Sequence, residues 1–362
     1  MKKKSDTTVF VGISGGVDSS VSAVLLQEQG YNVIGVFIRT WQPDWIECTW
    51  RNERRDAMRV CAHLAIPFVE LDLEREYKEG VADYMVREYR AGRTPNPDVM
   101  CNREVKFGGF LKWALEKGAD YIATGHYVHR SVAKDGTVTM LRGNDPQKDQ
   151  SYFLWTLEQE QLQHILFPVG NISKSRVRDL AKKYELPTAS KKDSQGICFI
   201  GEIDMKEFLG HYIDEQPGNV LDIKGTIIGH HKGSLLYTIS ERHGFAIDKK
   251  HKGTQDSPYY VVSKNIKDNT ITVSQNPKKD SADIKKIELI DIVDNKKILK
   301  QGDSIQVQIR YRGSLKKITF LYINHRNKTA TIEFDESDAT LAPGQSVVFY
   351  DGIECLGGGI IA

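Results

Sequence analysis

"TTVFVGISGGVDSS", residues Thr7–Ser20, decides how the first third of the chain is built. Thr7–Val11 is a β-branched and aromatic run of the kind that makes a buried strand. The run breaks at Ser14-Gly15-Gly16, and helical spacing takes over from Val17 to Gln29, where Gly30 ends it. A strand passing through a glycine pair into a helix presents free backbone N–H groups at a helix N-terminus. An anion is stabilised there by those donors and by the helix dipole. The glycines allow close backbone approach to a phosphate, and Ser14 and Ser19 add hydroxyls. No lysine follows Gly16, so the pattern G-x-x-x-x-G-K-[ST] is absent and transfer of a γ-phosphate is disfavoured.

Outward from this loop, strand and helix patterns alternate as far as Ala123, which predicts an α/β fold with a doubly wound parallel sheet. Strands are expected at Val9–Ile13, Val33–Ile38, Val69–Leu71 and Tyr121–Ala123. Helices are expected at Val17–Gln29, Arg51–Leu64, Arg75–Tyr89 and Glu104–Lys117. Residues 151–185 read as mainly helical, with Ser173 as an N-cap. From about Glu215 the texture changes to short alternating strands punctuated by Gly, Asn and Asp. Those at Ser304–Tyr311, Ile318–Ile323, Thr329–Phe334 and Ser346–Tyr350 predict a small closed barrel. The expected domains are therefore 1–210, α/β; 211–278, a small central domain; and 279–362, a C-terminal β-barrel.

The chain has 362 residues and a formal net charge of +2, so it is not globally basic. Local basic runs, Lys174–Arg178, Lys182-Lys183 and Lys191-Lys192, read either as solvated helix faces or as nucleic-acid contacts. No apolar run is long enough to span a membrane, and Ser5-Asp6 interrupts the basic start Met1–Lys4 before any signal-peptide core. The expected location is the cytoplasm. The five cysteines (48, 61, 101, 198, 355) contain no C-x-x-C pair, so neither a zinc module nor a secreted disulfide framework is suggested.

Two of those cysteines lie in loops of unusual composition. In Gly92–Asn102, "GRTPNPDVMCN", two prolines stiffen an extended segment, and Asn102 reads as the cap of a helix from Arg103. Cys101 would then sit outside a helix N-terminus beside Arg103, which lowers a thiol pKa, with Asp98 near enough to move a proton. Cys198 lies in the Gly-flanked stretch Asp193–Gly201. Cys61 reads as helix core and Cys355 as barrel interior, and Cys48 is left open.

The loop Ser14-Gly15-Gly16-Val17-Asp18-Ser19 resembles the PP-loop of ATP pyrophosphatases, which holds the pyrophosphate released when a substrate is adenylated. Together with Arg93–Asp98, Cys101-Asn102, Thr124–Tyr127, Lys148–Tyr152, Gly196–Gly201, Pro343–Ser346 and Cys355–Gly359, it resembles the tRNA-specific 2-thiouridylase family over nearly the whole chain. The resemblance implies a PP-loop domain, a central domain and a C-terminal barrel. It further implies replacement of the C2 oxygen of the wobble uridine by sulfur, with ATP and Mg²⁺ as cofactors. ATP would be held by Gly12, Ile13, Ser14, Gly15, Gly16, Val17, Asp18 and Ser19, with Ile38 beside the adenine and Gly125. Asp18 reads either as a Mg²⁺ ligand or as a first-turn carboxylate complementing the helix dipole. The family's tRNA contacts correspond to Asn96, Pro97 and Asp98 at the target base. Others fall on His126, Lys148, Asp149, Gln150, Arg310, Tyr311 and Gln345. Cys198 would carry a persulfide supplied by a donor protein. Cys101 would either release sulfide by pairing with Cys198 or attack the base itself. Trp41–Asn52, Ser173–Ser175 and Tyr237–Gly244 differ from the family pattern.

The chemistry is coherent on its own terms: a ring carbonyl oxygen is a poor leaving group, adenylation turns it into AMP, and a persulfide supplies sulfur. Three alternatives stand beside it. A PP-loop amidoligase would need an ammonia source, and no glutaminase constellation is present. A non-enzymatic RNA-binding module leaves the phosphate loop without a use. Within the thiolation reading, Asp98, Cys101 and Cys198 could instead ligate an iron–sulfur cluster.

Overall fold

β1 (Thr8–Gly12) has parallel partners on both sides, as its buried Val9, Phe10 and Val11 require. The computed structural model describes residues 2–46, 50–193, 198–199, 205–251, 257–281, 283–296 and 298–362. β2 (Asn32–Arg39) pairs with β1, and β3 (Phe68–Asp72) with β2. β4 (Tyr121–Ala123) lies on the opposite side of β1. The hairpin β5 (Val128–Val132) and β6 (Val138–Arg142) follows, and β7 (Ile165–Leu166) completes the parallel sheet in the order β3-β2-β1-β4-β7. The chain winds outward from β1 in both directions, so the crevice beyond the carboxyl ends of β1 and β4 is the topological switch point.

α1 (Val17–Glu28) follows the glycine pair, and α2 (Trp50–His63) connects β2 to β3. A third helix, α3, comprises Glu74–Tyr77, a π-helical stretch Lys78–Asp83 and Tyr84–Arg90. The fourth, α4, comprises Pro97–Met100, a π-helical stretch Cys101–Gly109 and Phe110–Glu116. It starts at Pro97, well before the Arg103 that the sequence reading expects. Asn96, not Asn102, is the cap: its Oδ1 accepts from the N–H groups of Asp98 and Val99 at 3.2 and 3.3 Å, and Pro97 takes the first helical position. Proline's fixed φ and missing N–H suit that position, which decides between the two asparagines.

Residues 151–185 are less helical than expected. Only α5 (Gln159–Leu162) and α6 (Lys174–Lys183) are α-helical, because Ile165-Leu166 is drawn into the sheet as β7. Ser173 caps α6, its Oγ accepting from Arg176 N–H at 3.3 Å. After α7 (Met205–Gly210) come β8 (Gly218–Leu221), β9 (Ile227–His231), β10 (Ala246–Ile247), β11 (Tyr260–Asn265) and β12 (Thr270–Ser274). They form a separate sheet in the order β10-β9-β8-β12-β11.

The last part is a closed barrel of six strands: β13 (Lys286–Asp294), β14 (Ser304–Gln308), β15 (Lys316–Asn324), β16 (Thr329–Phe334), β17 (Ser346–Asp351) and β18 (Glu354–Ile361). Pairing of β13 with β18 closes it around Val307, Phe320, Ile332 and Phe349. The N-terminal end of β18 extends past that seam and pairs with β6, Glu354 opposite Leu141 and Cys355 opposite Met140. The hairpin β5–β6 thereby joins the barrel sheet. Cys355 consequently does not face the barrel interior: Leu356 does, while Cys355 packs into the core it shares with Met140, Trp155 and Tyr350. Alternation along a strand makes this unavoidable once Leu356 points inward.

That shared core yields an expectation for truncation. Removing residues 280–362 strips β6 of β18, one of its two partners, breaks the Ser151–Tyr350 hydroxyl bond (3.0 Å) and exposes Trp155. The remaining fragment should melt at least about 5 °C below the full chain in calorimetry. A fragment melting within about 1 °C of the full chain would show that the two parts are energetically independent.

Candidate active site

The glycine pair turns the chain at the switch point. Gly15 has φ +71°, and a Cβ there would stand 2.5 Å from the Glu53 carbonyl oxygen, so only glycine fits. Gly16 caps α1 with an ordinary φ of −95°. Ser14 and Ser19 lock the turn: Ser14 N–H donates to Ser19 Oγ at 3.2 Å, and Ser19 Oγ donates to the Gly16 carbonyl at 3.2 Å. Gly125 follows β4 and packs against the first turn of α1, where a Cβ would lie 2.7 Å from Ser19 N. Ile38 is buried near the carboxyl end of β2. Of the residues read as nucleotide contacts, Gly12–Ser19 and Gly125 thus lie together beyond β1 and β4, and Ile38 lies near the same end of the neighbouring β2.

Asp18 is not a free carboxylate at the mouth of this crevice. The Lys174 ammonium donates to both its oxygens at 2.7 and 2.8 Å, and the Tyr127 hydroxyl donates at 2.6 Å. Burial, then the charge of Asp18, pushes the Tyr127 hydroxyl far above the usual phenol range. Lys174 also meets Asp193, as do Lys148 and Arg178. Burial opposes ionisation of Asp193, yet hydrogen bonds from Lys148 and Lys174 hold its carboxyl well below the usual range. Lys191 pairs with Asp56. Much of the basic character of 174–178 and 191 is therefore turned inward onto carboxylates, and Lys174 is a crevice residue that the sequence reading missed.

The cysteine pair lies at α4, which carries Cys101. Cys198 and Cys101, distant in sequence, meet thiol to thiol, with Cys101 hydrogen-bonding Cys198. The Cys198 turn is held by its backbone. Its N–H donates to Asp98 Oδ1 at 3.2 Å, and its carbonyl accepts from the Tyr77 hydroxyl at 2.7 Å. The Phe199 carbonyl accepts from Gln42 Nε2 at 3.0 Å. Phe199 has φ +68°, an unfavourable value that these bonds impose. The flanking residues Ser194–Ile197 and Ile200–Gly201 lie outside the described residues, as does Cys48.

The two thiols are polarised in opposite directions. Full burial, followed by the hydrogen bond to Cys198, pushes the Cys101 thiol up, contrary to the lowering expected from a helix N-terminus beside Arg103. Cys101 is in fact inside α4, and Arg103 turns away to Glu104 at 2.7 Å. The Cys198 thiol moves down, first through the bond from Cys101 and then, against burial, through the charge of Lys106. Burial, only partly offset by the Cys198 bond, raises the Asp98 carboxyl. His126 is buried behind Lys106, its Nδ1 2.7 Å from Thr124 Oγ1, and burial keeps its imidazole neutral. Cys61 belongs to another core, with Val9 and Val11.

Next to the start of α4 is a cavity of about 200 Å³ lined by Pro95, Asn96, Pro97, Arg310, Tyr311 and Gln345. Five of the nine residues lining it, Asn96, Pro97, Arg310, Tyr311 and Gln345, were read as RNA contacts, and here a loop of the N-terminal domain and two barrel segments face each other. Tyr152 braces the floor, its hydroxyl donating to the carbonyls of Ile309 and Ser346 at 3.3 Å each. The trio Lys148, Asp149 and Gln150 is engaged internally. Lys148 meets Asp193, and Gln150 Oε1 accepts from Tyr127 N–H at 3.0 Å. Asp149 accepts from Gly143 N–H and from Ser151, and pairs with Arg142.

Family models match three consecutive stretches. They are described as a tRNA methyl transferase HUP domain (residues 7–202), a tRNA methyl transferase PRC-barrel domain (206–275) and an aminomethyltransferase beta-barrel domain (284–361). Full-length relatives carry a thiolating name instead. The tRNA-specific 2-thiouridylase MnmA of Lactococcus lactis is 45% identical over 99% of this chain and 96% of its own length. That of Bacillus velezensis is 47% identical over 99% of this chain and 96% of its own length. Among solved structures, the U34-tRNA thiolase NcsA from Methanococcus maripaludis with its [4Fe-4S] cluster is 20% identical, with a TM-score of 0.36. The match covers 57% of this chain and 63% of that one, too slight a likeness to carry the cluster over.

Proposed function

This chain belongs to the tRNA-specific 2-thiouridylase family, and from that premise we propose how its own residues perform ATP-dependent thiolation of tRNA. The observation that carries the reading is that α4 holds one thiol of a cysteine pair and borders a base-sized cavity, in a chain whose glycine turn offers free N–H groups at the start of α1. The N–H groups at the start of α1 hold the ATP phosphates, and Ser14 and Ser19 donate to them. Asp18 would be the carboxylate to hold Mg²⁺ once Lys174, which occupies both its oxygens here, turns to the phosphates. When bound, the ion would supply positive charge against the departing pyrophosphate. Lys174, now paired to Asp18, is placed to accompany the same phosphates.

Uridine 34 leaves its stack and enters the cavity between Asn96-Pro97 and Arg310-Tyr311, where Gln345 meets it. Its C2 oxygen attacks the α-phosphorus of ATP, forming an O-adenylated base and pyrophosphate. Cys198 receives a sulfane sulfur from a persulfide donor protein and carries it as Cys198–S–SH. Cys101 then attacks Cys198 Sγ, forming the Cys101–Cys198 disulfide and freeing sulfide, which displaces AMP from C2. A reducing thiol later restores the pair. Asp98, its carboxyl raised, is the proton carrier beside Cys198. The donor set of two thiols and one carboxylate does not fit an iron–sulfur cluster, which takes four thiolates as a rule. The Lys106 ammonium, 3.1 Å from Cys198 Sγ, is moreover a poor neighbour for an iron ion. No helix among the described residues is long and apolar enough to cross a membrane, and the reaction is assigned to the cytoplasm, where tRNA is found.

The reading is tested by incubating the full chain with unmodified tRNA, Mg-ATP and a small-molecule persulfide, then digesting the tRNA for mass spectrometry. 2-Thiouridine at position 34 that depends on ATP is expected. ATP consumption with no thionucleoside, or with a methylated one, would overturn it.

A further inference from the structure

Lys106 appears in none of the patterns that led to the site, yet its ammonium donates to Cys198 Sγ at 3.1 Å and lies 5.5 Å from the centroid of the Phe199 ring. Among the described residues, no carboxylate lies within ion-pair distance of it. A cation drawn away from water needs an anion at hand, and the sulfur it touches is nearer than any carboxylate, Asp98 included. Its position follows from the helix. Cys101–Gly109 is wound as a π-helix, whose i→i+5 bonding brings residues five apart onto one face. Cys101 and Lys106 are five apart. In an ordinary α-helix Lys106 would point well away from Cys101; the wider turn presents both to Cys198.

We propose that Lys106 is a catalytic counter-ion: its ammonium keeps Cys198, rather than Cys101, as the anion of the pair and so fixes which sulfur accepts the incoming atom. The step served is attack of Cys198 Sγ⁻ on the terminal sulfur of a donor R–S–SH. An Sγ–S bond forms, the donor's S–S bond breaks, and its electron pair leaves as RS⁻. The groups facing Cys198 from the surrounding elements are Tyr77 on α3 and Asp98 and Cys101 on α4, while His126, after β4, lies behind Lys106. Tyr77 is held neutral by burial and so is His126, which leaves Lys106 to supply the positive charge. Its own proton is secure: burial alone would lower its pKa, but the adjoining Cys198, Cys101 and Asp98 raise it above the ordinary lysine value.

The reaction that gives this counter-ion its purpose rests on the proposed function, but the test does not. Lys106→Met, Lys106→Gln and Lys106→Arg are compared with the wild type by iodoacetamide labelling across pH, followed by mass spectrometry of the Cys198, Cys101 and Cys355 peptides. In the Met and Gln variants, Cys198 labelling at pH 7 should slow about tenfold or more, and its rate–pH curve should move to higher pH. Arg should largely retain the wild-type curve, and pyrophosphate release should persist in all three. Should Met unfold the chain, Gln against Arg makes the same comparison. A folded neutral variant with an unshifted Cys198 curve would overturn the proposal. Failure of the wild type to thiolate tRNA would instead overturn the functional reading and leave this comparison standing.

Discussion

Cys198→Ser is expected to reduce tRNA thiolation by at least about a thousandfold while pyrophosphate release persists, because serine cannot carry a sulfane sulfur. The substitution is nearly isosteric, and the Cys198 turn is held by backbone bonds to Asp98 and Tyr77 that do not involve the thiol. Folding should therefore be unaffected, and the loss can be attributed to chemistry. Cys101→Ser should also block thiolation, but at a later point: the variant should accumulate Cys198 persulfide that is never released. The wild type, given a persulfide donor and no reductant, should stop after about one turnover with Cys101 and Cys198 joined. Mass spectrometry of the tRNA and the cysteine peptides separates these outcomes. Full thiolation by Cys198→Ser would remove that residue from sulfur transfer. Repeated turnover of wild type without reductant would eliminate the disulfide step.

Gly16→Val should lower ATP-dependent pyrophosphate release by about a hundredfold or more, with little change in melting temperature. The glycine pair divides its duties. Gly15 needs its positive φ and its missing Cβ, so substitution there would damage the turn itself. Gly16 has a φ that valine adopts readily, and the nearest atom to an added Cβ is Ser14 Oγ at 3.2 Å. A branched side chain at 16 is thus tolerable to the fold but stands over the N–H groups offered to phosphate. Calorimetry and a coupled pyrophosphate assay together make the check. Undiminished release would place the nucleotide elsewhere.

The strand–loop–helix at the N-terminus was legible because strand, glycine pair and helical spacing follow one another without interruption, and β1, α1 and β2 lie within a residue or two of where the patterns place them. The start of α4 was misread because two asparagines compete as caps, and the preference of proline for the first helical position outweighs the loop-stiffening effect assigned to it. That single shift moved Cys101 from outside a helix to inside one and reversed the expected direction of its thiol. Lys106 was illegible for a related reason: a spacing of five carries meaning only in a π-helical turn, which no residue pattern announces. The hairpin β5–β6 escaped notice because its edges are half exposed and its partner, β18, lies at the far end of the chain. Lys174 was visible as a charge but not as a crevice residue, since its carboxylate partners, Asp18 and Asp193, come from distant segments.

The continuous sheet from β5 through β18 bears on what must yield when RNA arrives. The two walls of the base cavity are like the jaws of a gauge that has been soldered rather than pinned. Spreading them would tear the Glu354–Leu141 and Cys355–Met140 ladder pairs and unseat Tyr152 from the carbonyls of Ile309 and Ser346. With the gape set in advance, the deformation falls on the softer body, and an anticodon loop is softer than a hydrogen-bonded sheet. On the proposed function, selection would then rest partly on pliancy: a loop that cannot splay its first anticodon base would be turned away, whatever that base is.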